Sequence, residues 1–208
     1  MNRVTFLIDG FNLYHSIIDL DHFRNLHVKW LDIRSLCSSF LPLISKDATL
    51  ATIYYFSAFA YHLNDPNIIK RHQDYIECLK SIGIIAEMGR FKPKDVTCPL
   101  RGKFIKHEEK ETDIAIAARL FEVMFDNKCD TIVLLTGDTD LIPAVKVCKS
   151  LFPAKTILFA FPYRRHNQEL KQLLPGSFRI HVNTYAQHLF PDPVLLPDGS
   201  KIYKPTSW

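Results

Sequence analysis

The sequence predicts an α/β fold built on a mainly parallel sheet. Short apolar, β-rich runs recur at residues 4–8, 51–59, 82–87, 132–135 and 155–160. Segments with helical spacing separate them, and such alternation makes right-handed crossovers and a parallel sheet the default. The most informative stretch is TIVLLTGDTDLIP at 131–143. Its apolar run empties abruptly into Thr136, Gly137, Asp138, Thr139 and Asp140, which reads as a buried parallel strand ending in a turn that opens a helix.

The first strand, 4–8, runs directly into Asp9, Gly10, Phe11 and Asn12. Residues 15–25 are polar and read as irregular or as a short helix. Leu31, Leu36, Cys37, Phe40 and Leu41 suit an amphipathic helix stopped near Pro42. A second strand covers 51–59, Pro66 opens a helix to about Ser81, and 82–87 is the third strand. Residues 89–110 change character. Arg90, Lys92, Lys94, Arg101, Lys103, Lys106 and Lys110 interleave with Phe91 and Phe104, and Pro93, Pro99 and Gly102 signal turns. The prediction is two short strands, 90–94 and 103–107, joined as a hairpin. A helix at 112–125 precedes the central strand; a helix at 141–151 and a strand at 155–160 follow it. Then come a basic loop holding Arg164 and Arg165, a short helix at 167–174, a strand at 178–182 and a turn that Asn183 would cap. The Pro-rich tail, 191–208, is expected to lie extended over the body, pinned by Tyr203 and Trp208.

At 208 residues the chain is one domain, or one with an appendage. A formal charge of +4, with nine His besides, admits an anionic partner without requiring one. Five Cys and no CxxC read as reduced, mostly buried thiols of a cytoplasmic protein. No apolar stretch approaches the ~20 residues of a membrane span. The N-terminal apolar run is broken by Asp9, so neither a membrane anchor nor a secretory signal is expected.

Four acids carry the candidate chemistry. Asp9, Asp138 and Asp140 follow strands, where ligands bind in open α/β sheets. Asp113 lies in the first turn of a helix. Each alone has a plain structural reading: a cap for Asp138 or Asp140, an Asp-Gly turn for Asp9, a favourable helix dipole for Asp113. If the first and central strands are neighbours, all four converge. Like charges raise one another's pKa, and Mg²⁺ or Mn²⁺ with oxygen ligands is the natural neutraliser. Such an ion can polarise a phosphodiester and make hydroxide from water. The basic segment, with its two rings, suits phosphates and stacked bases, or else is a solvated hairpin.

DGFN at 9–12, KETDIA at 110–115 and TGDTDLIP at 136–143 resemble, in order and spacing, the three motifs of NYN-domain proteins of the LabA-like branch. These are similar to the wider group of PIN-like metal-dependent ribonucleases. The resemblance implies a Rossmann-like (PIN-like) three-layer domain over 1–190 with a mainly parallel central sheet, strand order 3-2-1-4-5, a basic β-hairpin insertion at about 89–109 and an extended tail at 191–208. It marks Asp9, Asp113, Asp138 and Asp140 as metal and catalytic positions, with Asn12 and Thr136 as helpers. The expected activity is a Mg²⁺- or Mn²⁺-dependent endoribonuclease, with Lys110, Arg90, Lys92, Lys103, Arg164 and Arg165 positioning phosphates of RNA. The sequence also permits a homodimer. A non-catalytic RNA-binding or regulatory module is a rival, although a phosphate binder gains nothing from four repelling charges. A small-molecule phosphohydrolase is another, but its usual D-x-D run after the first strand is missing, because Gly10 and Phe11 follow Asp9.

Overall fold

A computed structural model describes residues 1–98 and 102–208, so Pro99 and Arg101 of the basic segment lie outside the described residues. Seven strands form one sheet: β1 (Asn2–Asp9), β2 (Ala48–Ala58), β3 (Ile85–Cys98), β4 (Gly102–Lys110), β5 (Thr131–Leu135), β6 (Thr156–Phe161) and β7 (Phe178–Arg179). Their order is β4-β3-β2-β1-β5-β6-β7. Every neighbouring pair is parallel except β3 and β4, which pair antiparallel from Arg90–Lys110 to Cys98–Gly102. The helices are α1 (Gly10–Arg24), α2 (Ile33–Ser39), α3 (Leu41–Ile44), α4 (Pro66–Ser81), α5 (Thr112–Phe125), α6 (Ile142–Leu151), α7 (Gln168–Leu173) and α8 (Val182–Ala186).

Alternation along the strands builds two cores. Val4, Phe6 and Ile8 of β1, with Val133 and Leu135 of β5, pack beside Leu13 and Ile17 of α1 and Ile76 and Leu79 of α4. Leu7, Ile132 and Leu134 face the other way, onto Ile116 and Leu120 of α5 and Val145 of α6. Both faces of the central strands are therefore covered, which is why they read as unbroken apolar runs rather than alternating ones. Cys37, Cys78, Cys129 and Cys148 are free and buried, as small apolar residues within these cores. Among the described residues, no helix is long and apolar enough to cross a membrane.

The structure departs from the sequence expectations in five places. Residues 15–24 belong to a full helix, α1, capped by Asn25, whose buried residues Leu13, Ser16, Ile17 and Leu20 follow helical spacing. Ser16 interrupts the apolar face, and its hydroxyl lies 3.4 Å from the Tyr185 hydroxyl, so the stripe was easy to miss. The single helix expected over 31–43 is two, because Phe40 caps the end of α2 and the start of α3, with Pro42 in the first turn of α3. The third strand does not stop at 87. β3 runs on to Cys98, trading its parallel partner β2 at Gly89 for β4 at Arg90. The last strand is shorter than 178–182, because Val182 starts α8. In the tail, Trp208 packs 6.0 Å from Trp30 and 5.7 Å from Tyr75, whereas Tyr203 is 65% exposed and pins nothing.

Gly10 starts α1 where it passes closest to β2. A Cβ there would lie 2.5 Å from the Phe56 carbonyl oxygen and 2.7 Å from the Tyr55 ring. Backbone cannot yield as a flexible side chain can. Gly10→Ala should therefore destabilise the fold by about 1–3 kcal/mol, the usual cost of overpacking a filled site. Urea denaturation monitored by circular dichroism checks this.

Candidate metal centre

β1 and β5 lie side by side and parallel, with Ile8 opposite Leu135. The residues that follow them, Asp9 and Thr136, therefore emerge together. Asp9 is only 5% exposed and closes α1 as its N-cap, accepting from the Asn12 backbone N–H at 2.9 Å. Its other oxygen, Oδ2, accepts from the Thr136 hydroxyl at 2.9 Å. Thr136 Oγ1 in turn accepts from the Asp138 N–H at 3.1 Å. The Asn12 side chain completes the bridge, its Oδ1 accepting from the Gly137 N–H at 3.0 Å. Two turns from distant parts of the chain are thus locked together. Gly137 is required there, since a Cβ would sit 1.8 Å from the Arg165 carbonyl oxygen.

Asp138 both caps and joins the cluster. Its Oδ1 accepts from the Asp140 N–H at 2.9 Å and opens a 3-10 turn over Thr139–Leu141. The capping explanation and the chemical one hold together for this residue. Asp113 arrives from α5. Just before it, Glu111 adopts a left-handed backbone, φ 80°, and Glu109 accepts from the Thr112 N–H at 3.2 Å. That reversal turns β4 into α5 and brings Asp113 to the mouths of β1 and β5.

Carboxylate oxygens of Asp9, Asp113 and Asp138 lie within 4.8 Å of one another. Asp140, the fourth predicted acid, stands outside this group and is exposed. Burial raises the pKa of Asp9, an effect opposed by its bonds from Asn12 and Thr136 and reinforced by Asp138 and Glu109. Asp113 is pushed up to about 6, first by burial, then by Asp138, Asp9, Glu109 and Asp140. Glu109 is therefore an additional acid at the cluster's edge that sequence reasoning missed. Its residue type carried no such signal, since its contact with the Thr112 N–H depends on where α5 begins.

The predicted phosphate-binding bases are arranged differently from the acids. Lys110 turns to Glu108 at 3.1 Å, and Lys94 and Lys106 reach the same carboxylate at 3.0 and 3.8 Å. Glu108 is held at about 2 by Lys94 and Lys110. Arg90 and Lys92 pair with Glu111, Lys92 at 3.5 Å. Arg165 pairs with Asp19 of α1 at 2.9 Å, and Arg164 lies over the Phe23 ring at 4.2 Å. Lys103 is exposed on β4, opposite Thr97. Among the described residues, no Lys or Arg forms an ion pair with Asp9, Asp113, Asp138 or Asp140.

Three converging oxygen donors without a protein cation suit a hard divalent ion, and Asp9, Asp113 and Asp138 could bind one. Their repulsion also sets a pH dependence for the metal-free protein. For Asp113, folded and unfolded chains are both protonated well below the ordinary value of 3.8, and no penalty exists. Above about 6 both are ionised and the penalty is complete. Metal-free protein should therefore lose stability from this source as pH rises from 3.8 through about 6. Partial exposure screens the repulsion, so Asp113→Asn should raise the metal-free Tm near neutral pH by about 2–4 °C, the shift of about 1 kcal/mol in a chain of this size. Thermal melts of both proteins across that pH range, without divalent ions, check the sign.

The profile of the NYN domain family matches residues 3–177. No curated protein matches the chain. Among solved structures, a protein of unknown function from Vibrio parahaemolyticus RIMD 2210633 is similar over 91% of this chain and 96% of its own, with a TM-score of 0.56 and 16% sequence identity. That likeness concerns the fold alone. NYN domains belong to the PIN-like nuclease superfamily, whose members typically use divalent metals. With its profile match spanning both sides of the sheet and all three cluster acids, this chain belongs to the NYN domain family.

Proposed function

We propose that the protein is a divalent-metal-dependent endoribonuclease that hydrolyses phosphodiester bonds of RNA, with Mg²⁺ or Mn²⁺ as its ion. The observation that carries this reading is the meeting of Asp9, Asp113 and Asp138 with no cation from the described residues paired to them. The three motifs around these acids also support placement in the LabA-like branch. Asp9, Asp113 and Asp138 would hold the ion, which would supply Lewis acidity toward a phosphate oxygen and lower the pKa of water.

The chain's own residues do the remaining work. Asn12 and Thr136 fix Asp9, so that its carboxylate is presented in one orientation. Asp140 stands at the exposed margin, close enough to raise the pKa of Asp113. Lys110, Arg90, Lys92 and Lys103 line the β3–β4 ribbon and bind backbone phosphates, while Arg164 and Arg165 hold the strand on the far side. Most of these cations already sit in exposed ion pairs. Such pairs are worth about 0–1 kcal/mol, so a phosphate can displace the carboxylates at small cost. The ribbon would then exchange internal pairs for substrate contacts.

Asp138→Asn isolates the chemistry, because Asn caps a helical turn as well as Asp does. The variant should keep wild-type stability and lose about 10²-fold or more of the Mn²⁺-dependent cleavage, the scale on which a single stabilising group acts. Single-turnover cleavage of labelled RNA by purified wild type and variant measures it. Unchanged cleavage by the variant would contradict the assignment. Salt-sensitive RNA binding without cleavage, under every divalent ion, would favour the regulatory module instead.

A further inference from the structure

Beside the acid cluster opens a cleft of about 860 Å³. It lies between α1, the β3–β4 ribbon, the start of α4 and the tail. Gly10 and Phe11, the residues directly after Asp9, line it, and so does Glu109. The cleft therefore adjoins the acids.

Rings dominate its walls. On the ribbon side Phe91 meets Phe11 edge-on at 5.5 Å and lies 4.5 Å from His62. His62 stacks on His107 at 4.5 Å with planes 13° apart. Tyr14 of α1, 48% exposed, also lines the cleft. Lys29 and Arg71 supply positive charge. The volume is within the ordinary range for a small-molecule or nucleotide-sized ligand. Aromatic faces next to cations, in a concave site, match an unpaired base with its sugar-phosphate. A duplex, whose bases are stacked and paired, cannot present a base to a cleft.

We propose that this cleft is a base-binding subsite, which receives the unpaired nucleotide next to the phosphate held at Asp9, Asp113 and Asp138. The base stacks on the Tyr14 and Phe91 rings, and Arg71 and Lys29 offset the charge of its phosphate. This inference rests on the ribonuclease reading for its biological meaning, but its test does not use cleavage.

The probe is a short oligoribonucleotide carrying a central 2-aminopurine, mixed with full-length protein without divalent ions. Fluorescence quenching reports stacking, and anisotropy reports binding. Single-stranded probe should be quenched and should bind at least about tenfold more tightly than the same probe annealed to its complement, since stacking on an aromatic side chain contributes a factor of this order per base. Tyr14→Ala should lose about tenfold and most of the quenching, Tyr14→Phe should retain both, and Phe91→Leu should weaken quenching. Equal binding of single strand and duplex overturns the proposal. So does wild-type-like quenching in both Tyr14→Ala and Phe91→Leu, or no binding of the single strand at all. Quenching of wild type with RNA left intact in Mn²⁺ supports the cleft while removing the nuclease reading. Cleavage that is indifferent to Tyr14 and Phe91, with no quenching, does the reverse.

Discussion

Asp9 accepts one hydrogen bond from the turn that follows β1 and another from the turn that follows β5. This carboxylate is nearly buried, and it is an N-cap, a cross-link between strands and a cluster acid at once. Its position fixes the others. Thr136, oriented by Asp9, holds the Asp138 N–H, and Asn12 holds the Gly137 N–H. A buried anion with two donors is tolerable, but two neighbouring acids make it costly. The fold accepts that cost at the end of its sheet, where the parallel strands open to solvent. Functional sites are where such local conflict is expected.

Around this point the electrostatics divide into two zones. The ribbon's bases and acids neutralise one another in exposed pairs centred on Glu108 and Glu111. Among the described residues, no Lys or Arg gives the acid cluster such relief. The contrast argues that the cluster is not a surface accident, since nearby Lys110 could have been turned toward Asp113 and is turned to Glu108 instead. It also explains why net charge was a weak guide. A value of +4 hides both a locally balanced ribbon and a concentrated negative pocket.

Much of this was legible in the sequence because it follows from strand ends. The apolar run 132–135 and the run 4–8 each stop at an acid, and parallel neighbours must deliver those acids together. Asp113 was legible through its motif, but the left-handed Glu111 that aims it was not, since nothing in residue type demands φ 80° there. α1 was obscured by Ser16 inside its buried face and by polar residues spread around it. Glu109 was not legible either, because its contact with Thr112 depends on where α5 begins. The pairing of Arg90 and Lys92 with Glu111 was also out of reach, since it depends on how β3 and β4 meet rather than on composition. The cleft is the least legible feature. Tyr14, Phe91 and Trp208 come from three remote segments and carry no shared pattern.

Mn²⁺ has a strong anomalous signal, and crystals soaked in it locate the ion without reference to any reaction. The account places the principal anomalous peak among the carboxylates of Asp9, Asp113 and Asp138, and expects it to vanish in Asp9→Asn. Crystals saturated with Mn²⁺ that show no peak between those three side chains, or that bind it only elsewhere, would contradict it.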